Sequence, residues 1–443
     1  MKAGEWTILE DYARRVRIIT IENTYLRWSV SPLVYLRLNQ LRGSSLFPAL
    51  RELRIPSNVN IDLFSPFSML SPGMRCLELN RGTISNQELF SPFFSFATTT
   101  SPNITHLILR GDVAIDLEPT FLFGSLRTLE LELSTQTYDA SFFRKLARLT
   151  DLRTLMLFLG PSNVRQRNRQ TLNTQQPITG FGRSIEILHL KGSLAAMLET
   201  LQYISCQSLI SWTLEETLPR SHNPPQISNW TECFEALSTC VESVKHIVVT
   251  QCSSHNYAFS YALITPLYEL RNLEVFELNN GHLTISESDF LALISAFPKL
   301  KRLSLPSMCS GSCPPISVLW QPSIIPPTLE ELRFCCFIDG SFIDSRSSQL
   351  PADLKDVIIN RSVAHHGLRR LLISSSFHQI SDHNVIHLAR LLDSAYPNLD
   401  IVEGYGPNAR NGYEIWSRVD LFRAALRDIR CEMRKQAQLV DNN

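Results

Sequence analysis

The chain has 443 residues, more than one compact core usually holds, so it is either two or three domains or one elongated repeat array. Lys plus Arg and Asp plus Glu number 42 each, the pI is near 7.2 and 44% of residues are apolar, which excludes a disordered chain and a polybasic nucleic-acid binder. No apolar run reaches the roughly 18 residues of a membrane helix, and the opening MKAGEWTILEDYARRVR carries charge where a signal peptide needs its apolar stretch. The reading is a soluble protein of the cytoplasm or nucleus, with no nucleic-acid and no membrane partner. In that setting the ten cysteines are expected as thiols, and the sequons at Asn103, Asn229 and Asn360 as unused.

In chain order, residues 1–30 are expected to form an N-terminal cap or linker segment. From there to residue 403 one short phrase recurs, apolar-x-x-apolar-x-apolar. Copies begin at Leu50, Met74, Ile104, Leu126, Leu152, Ile185, Leu209, Val244, Leu273, Leu300, Leu329, Leu368 and, in degenerate form, Leu399. The alternation within each copy predicts one short strand with a buried face. Between copies, helical spacing runs over Ser85 to Ala97, Ser141 to Leu149, Leu194 to Ile204, Ser286 to Phe297 and Ser381 to Ala395. Ser85 with Glu88 and Ser286 with Asp289 have the spacing of capping boxes. One such unit cannot bury its own apolar face, whereas stacked units share a core. The expected fold class is α/β: a solenoid with a curved parallel strand array inside and helices outside. A doubly wound α/β enzyme is the alternative, and the fixed phrase and the lack of a Gly-rich strand-to-helix turn weigh against it.

Three irregular insertions are expected within the array, near 161–182, 305–328 and 345–361. The first carries Arg165, Arg167 and Arg169, read as a solvated loop with an acidic partner or phosphate as the competing reading. The second holds six prolines and is not expected to form regular structure. Residues 404–443 read as a C-terminal capping helix and tail, with Ile415, Val419, Phe422, Leu426, Ile429 and Met433 on one apolar stripe.

The phrase resembles the leucine-rich repeat. Its thirteen copies step by 22 to 39 residues, about 29 on average, at the upper edge of that class. Trp6 followed by Tyr12-Ala13-Arg14-Arg15-Val16-Arg17 resembles the segment that joins an F-box to the repeats in fungal F-box/LRR-like proteins. That resemblance implies a substrate-recognition subunit of an SCF-type ubiquitin ligase, with cullin-type ligase subunits as possible partners. The F-box itself is not found; its nearest echo, Leu350-Pro351-Ala352-Asp353-Leu354, falls inside the array. The Asn or Cys that such repeats commonly carry eight residues after the first Leu is matched only by Asn58 and Cys252.

Motifs that carry chemistry are sparse. His383 and His387 have the i, i+4 geometry of two zinc ligands, but Asn384 stands where the metalloprotease glutamate would be. Cys309, Cys313, Cys335 and Cys336 lie within 28 residues, yet Cys335 and Cys336 are expected on opposite sides of a strand. The reading is a non-enzymatic protein-protein interaction scaffold with no cofactor and no metal. An enzyme with a dispersed active site is the alternative. The third, fifth and seventh residues of each copy should project from the concave face, which holds the protein partner. The candidate partner-binding residues there are Arg110, Glu130, Glu132, Met156, Phe158, His189 and Lys191. Met156 and Phe158 form an apolar centre and the others a charged rim, the anatomy of a protein-binding surface.

Overall fold

The computed structural model describes residues 3–21, 34, 37, 45–55, 64–80, 87–112, 114–160, 184–204, 207–217, 228–238, 243–251, 258–309, 312–320, 325–338, 366–375, 382–406 and 409–441. The chain divides into two units, Met1–Pro225 and Gln226–Asn443.

The first unit opens with α1 (Ala3–Arg15) and β1 (Ile18–Thr20). It continues through β2 (Glu52–Ile55), α2 (Phe64–Met69), β3 (Cys76–Leu79), α3 (Gln87–Thr100), β4 (His106–Gly111) and β5 (Thr128–Leu133). It closes with α4 (Ala140–Leu146), β6 (Thr154–Leu159), β7 (Ile187–Gly192), α5 (Leu194–Leu201) and β8 (Ser211–Glu216). The strands pair in parallel in sequence order, β1 to β8. Each pair joins equivalent positions of successive copies, as Leu107 opposite Leu129 and Leu155 opposite Leu188 illustrate. Alternation then sends Leu129, Leu131 and Leu133 into a core where all are fully buried, each worth about 1.5 to 3 kcal/mol of transfer free energy.

The second unit repeats the plan through α6 (Ser228–Ser238), β9 (His246–Thr250), β10 (Ala258–Ser260), α7 (Tyr261–Ile264), β11 (Val275–Asn279), β12 (His282–Thr284) and α8 (Glu287–Ala296). Then come β13 (Arg302–Ser304), β14 (Met308–Cys309), β15 (Glu331–Cys336), β16 (Arg370–Ser375), α9 (Asp382–Ala395), β17 (Ile401–Gly404) and α10 (Ala409–Asp441). Its main parallel ladder runs β9, β11, β13, β15, β16, β17, and β10, β12 and β14 form a second parallel sheet. This is a leucine-rich-repeat fold: one strand per copy in a parallel ladder, with helices and 3-10 turns as the return segments.

A backbone device recurs at the entries of β2 to β8, β11, β13 and β15 to β17. The N–H groups of Arg127 and Thr128 both donate to the Thr105 carbonyl at 2.8 and 2.9 Å, and those of Lys301 and Arg302 both donate to the Glu274 carbonyl at 2.8 and 3.0 Å. Two donors share one acceptor there, and the residue after each anchor is left outside the in-and-out alternation, at the rim.

At described turns after the strands, close backbone approach decides which residue fits. A Cβ added at Gly160 would lie 1.9 Å from the Ser134 carbonyl oxygen, so only glycine fits between neighbouring turns. Gly281, at φ +72°, sits in the left-handed region beside Gln251. The expected capping box at Ser286 is present, with the Ser286 hydroxyl accepting from the Asp289 N–H at 3.2 Å.

Three features differ from the sequence expectations. The ladder starts earlier than residue 31, because Val16-x-x-Ile19-x-Ile21 is itself a copy of the phrase and β1 pairs with β2. The proline-rich stretch 305–328 does form regular structure: β14 joins the second sheet, and Ile316–Trp320 makes a 3-10 turn that starts after Pro315. That stretch is anchored by the Phe337 N–H donating to the Pro314 carbonyl at 2.9 Å. On α10, Ile429 and Met433 are 54% and 63% exposed, so the predicted stripe does not extend along the helix. Of the stripe, Val419 is fully buried and Ile415, Phe422 and Leu426 are half-buried, and Trp416 and Arg423, which lie outside it, are fully buried where α10 meets α9 and β17. The insertions near 161–182 and 345–361, including Arg165, Arg167 and Arg169 and the Leu350 to Leu354 echo, lie outside the described residues, as do Ser85, Asn58 and Cys252.

The last strand explains why an arginine is buried there. The Val402 N–H of β17, on the edge with no further strand, donates to Asp420 Oδ1 at 3.2 Å, so a carboxylate caps the open ladder. Arg423 Nη2 donates to the same oxygen at 3.1 Å and Nη1 to the Leu399 carbonyl, while burial pushes its pKa down and Asp420 opposes that shift. Arg418 with Asp382, Arg430 with Asp393 and, at 3.7 Å, Arg427 with Asp400 latch the rest of α10.

Candidate partner-binding face

On the open side of the first unit's sheet, strand pairing assembles rows from equivalent positions. The fifth residues of β3 to β8 copies are Glu78, Ile108, Glu130, Met156, His189 and Thr213, and the register pairs each with the next. One row further along lie Arg110 opposite Glu132, Phe158 opposite Lys191, and Lys191 opposite Glu215. All these side chains are half-buried or exposed, while the leucines between them are buried.

Arg110 is not free to meet a partner. Its guanidinium is held by three carboxylates from both neighbouring strands: Glu78, Glu130 at 3.3 Å and Glu132 at 3.2 Å. Glu78 was not singled out from the sequence, although its place five residues into the Met74 copy puts it in this row. On the other side Lys191 pairs with Glu215 at 2.7 Å, and His189 Nε2 lies 3.7 Å from Glu215, too far for a hydrogen bond. Burial lowers the His189 pKa, with the Glu215 carboxylate acting in the opposite direction, so the ring is held towards its neutral form. Met156 sits between Glu130 and His189, and both Met156 and Phe158 are half-buried. The seven candidate residues therefore form one contiguous patch: an acid-and-arginine cluster, an apolar pair, and a second locked ion pair.

The other sequence candidates are dispersed. His383 is exposed and His387 half-buried on α9, and burial, with His383 next in size, lowers the His387 pKa. Cys335 and Cys336 are both buried, and burial pushes the Cys336 thiol up, with Cys335 and Cys313 adding to the shift. Among the described residues no group of three or more His, Cys, Asp and Glu side chains is placed to hold a metal ion, and no helix is long and apolar enough to cross a membrane.

No protein-family model matches the chain, and no curated protein matches it. Similar solved structures include an internalin from Listeria monocytogenes, at 14% identity and TM-score 0.40 over 85% of this chain and 95% of that one. A leucine-rich-repeat protein from Leptospira interrogans is similar at 14% identity and TM-score 0.36, over 82% of this chain and 74% of that one.

Proposed function

We propose that the protein is a non-enzymatic interaction scaffold whose first unit holds a protein partner on the open face of its sheet. The observation that carries this reading is the half-buried pair Met156 and Phe158, set between ion pairs already closed within the protein. A partner docking there covers apolar area without stripping water from an uncompensated charge, and the closed pairs supply a polar rim. Replacing both with Ser should weaken binding by a few kcal/mol with an unchanged melting temperature, measured by calorimetry on a partner recovered by affinity purification and mass spectrometry. A double variant that instead melts several degrees lower, yet binds fully where still folded, makes the pair packing and ends this reading.

A narrower form, substrate recognition for an SCF-type ubiquitin ligase in the cytoplasm or nucleus, is supported by the resemblance of Trp6 and Tyr12 to Arg17. Recovery of cullin-type subunits in the same purification is its expected outcome, and a preparation free of them counts against it.

A further inference from the structure

The rim residue fixed by the doubled hydrogen bond at each strand entry is, from β1 to β6, Arg17, Arg51, Arg75, Thr105, Arg127 and Arg153, and the row ends at β7 and β8 with Glu186 and Ile210. All five arginines are exposed. Paired strands lie about 4.8 Å apart, so Arg51 to Arg153 covers about 19 Å in four steps, the length of roughly six residues of extended chain. Like charges facing one another across a sheet are destabilising. Little nearby offsets them. Arg153 Nη1 pairs with Glu186 at 2.6 Å, and Arg17 donates to the carbonyls of Arg14 and Ala49 at 3.1 and 3.3 Å. Arg51, Arg75 and Arg127 have no acidic partner among the described residues.

The fold does not require this. In the second unit the same position, held by the same doubled bond, carries Lys245, Glu274, Lys301, Glu330, Arg369 and Asp400 in strict alternation of sign. There Glu274 closes ion pairs with Lys245 at 3.4 Å and Lys301 at 2.6 Å.

We propose that the arginine row of the first unit is a docking strip for an extended acidic segment of a partner protein. This stands apart from the reading of the Met156 and Phe158 face. Guanidinium groups take carboxylates in two-point forks that lysine cannot form, which fits a row built from arginine throughout its cationic positions. The positive zone is one residue wide. On one side lie the buried anchors, and on the other Glu52, Cys76, His106, Thr128 and Thr154, followed by the carboxylates Glu78 and Glu130. A single extended chain can follow such a strip, whereas a broad phosphate polymer would meet those carboxylates. Among the described residues of the row no aromatic side chain alternates with the arginines to stack a nucleobase.

The test is fluorescence anisotropy of the full chain with a labelled peptide of about ten consecutive glutamates at low salt. Arg51→Gln with Arg75→Gln and Arg127→Gln should weaken binding about tenfold, whereas Lys245→Gln with Lys301→Gln should leave it unchanged. The three side chains are exposed, so the triple variant should melt like the parent. Arg75→Glu alone gives a second reading, with an expected several-fold loss. Unchanged affinity in both arginine variants, or an equal loss from the second-unit pair, overturns the proposal. Tighter binding of a single-stranded oligonucleotide through the same arginines overturns it in favour of nucleic acid.

Discussion

The two units solve the same backbone problem with different charge arrangements. At the strand entries from β1 to β6 the first unit places five arginines and one threonine, and the second unit alternates lysine or arginine with glutamate or aspartate. Their open faces differ in a parallel way. In the second unit Glu277, Arg302, Glu331 and Arg370 close a chain of ion pairs at 3.3 to 3.4 Å across β11, β13, β15 and β16. In the first, the charges gather around Arg110 and around Glu215 and leave Met156 and Phe158 between them. The doubled hydrogen bond demands only that the entry residue be solvated; it does not choose a sign. Alternation lowers self-repulsion and is what stability alone would favour. A row of five arginines with no alternating acid and an apolar gap are therefore the features stability leaves unexplained, and both fall in the first unit.

The largest test concerns the end of the second unit. Deleting residues 413–443 uncovers β17 and removes Trp416 and Val419 from the core. Loss of a buried Trp side chain alone costs about 3 to 5 kcal/mol, a large share of a net stability of about 5 to 15 kcal/mol. The truncated chain should aggregate, with hydrogen-exchange protection lost in β16 and β17 and retained in β3 to β7. A monomeric product with an unchanged melting temperature would show that α10 does not cap the ladder.

A smaller effect is expected at the edge itself. Asp420→Ala leaves the Val402 N–H without its acceptor and Arg423 buried with one partner fewer, at a cost of about 1 to 3 kcal/mol. Asp420→Asn, which still offers an oxygen to Val402, should fall between the two in chemical denaturation. Equal stability of all three proteins would make the carboxylate incidental.

The tail also shows how far the sequence could be read. That it is a helix was legible from its period. Its buried face was legible only in part: Val419 lies on the predicted stripe, but a reading that sends charges outward cannot select Arg423, which is buried by virtue of the Leu399 carbonyl and Asp420. The thirteen anchored strands were legible because each encodes its own alternation in six residues. β1 was hidden in residues 1–30, where the resemblance of Trp6 and Tyr12 to Arg17 points to a cap or linker. The second sheet, made of strands two or three residues long, is too short for any period to register. On the open face the apolar pair and most of its rim could be placed by counting from the anchors. What counting could not supply was pairing: Arg110 reads as an available cation until Glu78, Glu130 and Glu132 are seen around it.

The smallest expected effect bears most directly on the two charge arrangements. Salt screens both, with opposite consequences. In the first unit it weakens repulsion within the arginine row, and in the second it weakens attraction within the alternating row. Raising ionic strength should therefore slow local exchange at the first unit's strand entries and speed it at the second's, by about twofold or less. Acid discriminates further. The hydrogen bond from Lys301, followed in the same direction by Lys245, holds the Glu274 carboxyl below its usual range. A depressed carboxylate pKa contributes stability that is present above the unfolded value of about 4.3 and lost as pH falls through the lower folded value. Below that window Glu274 no longer offsets Lys245 and Lys301, and the salt response of their strand entries should change sign. Hydrogen exchange of the two sets of entry amides at pH 7 and at acid pH, each at low and high salt, measures this. Identical salt responses in the two units at pH 7 would mean that the rim charges are too well solvated to sense one another, and the contrast between the units would then lie in their open faces alone.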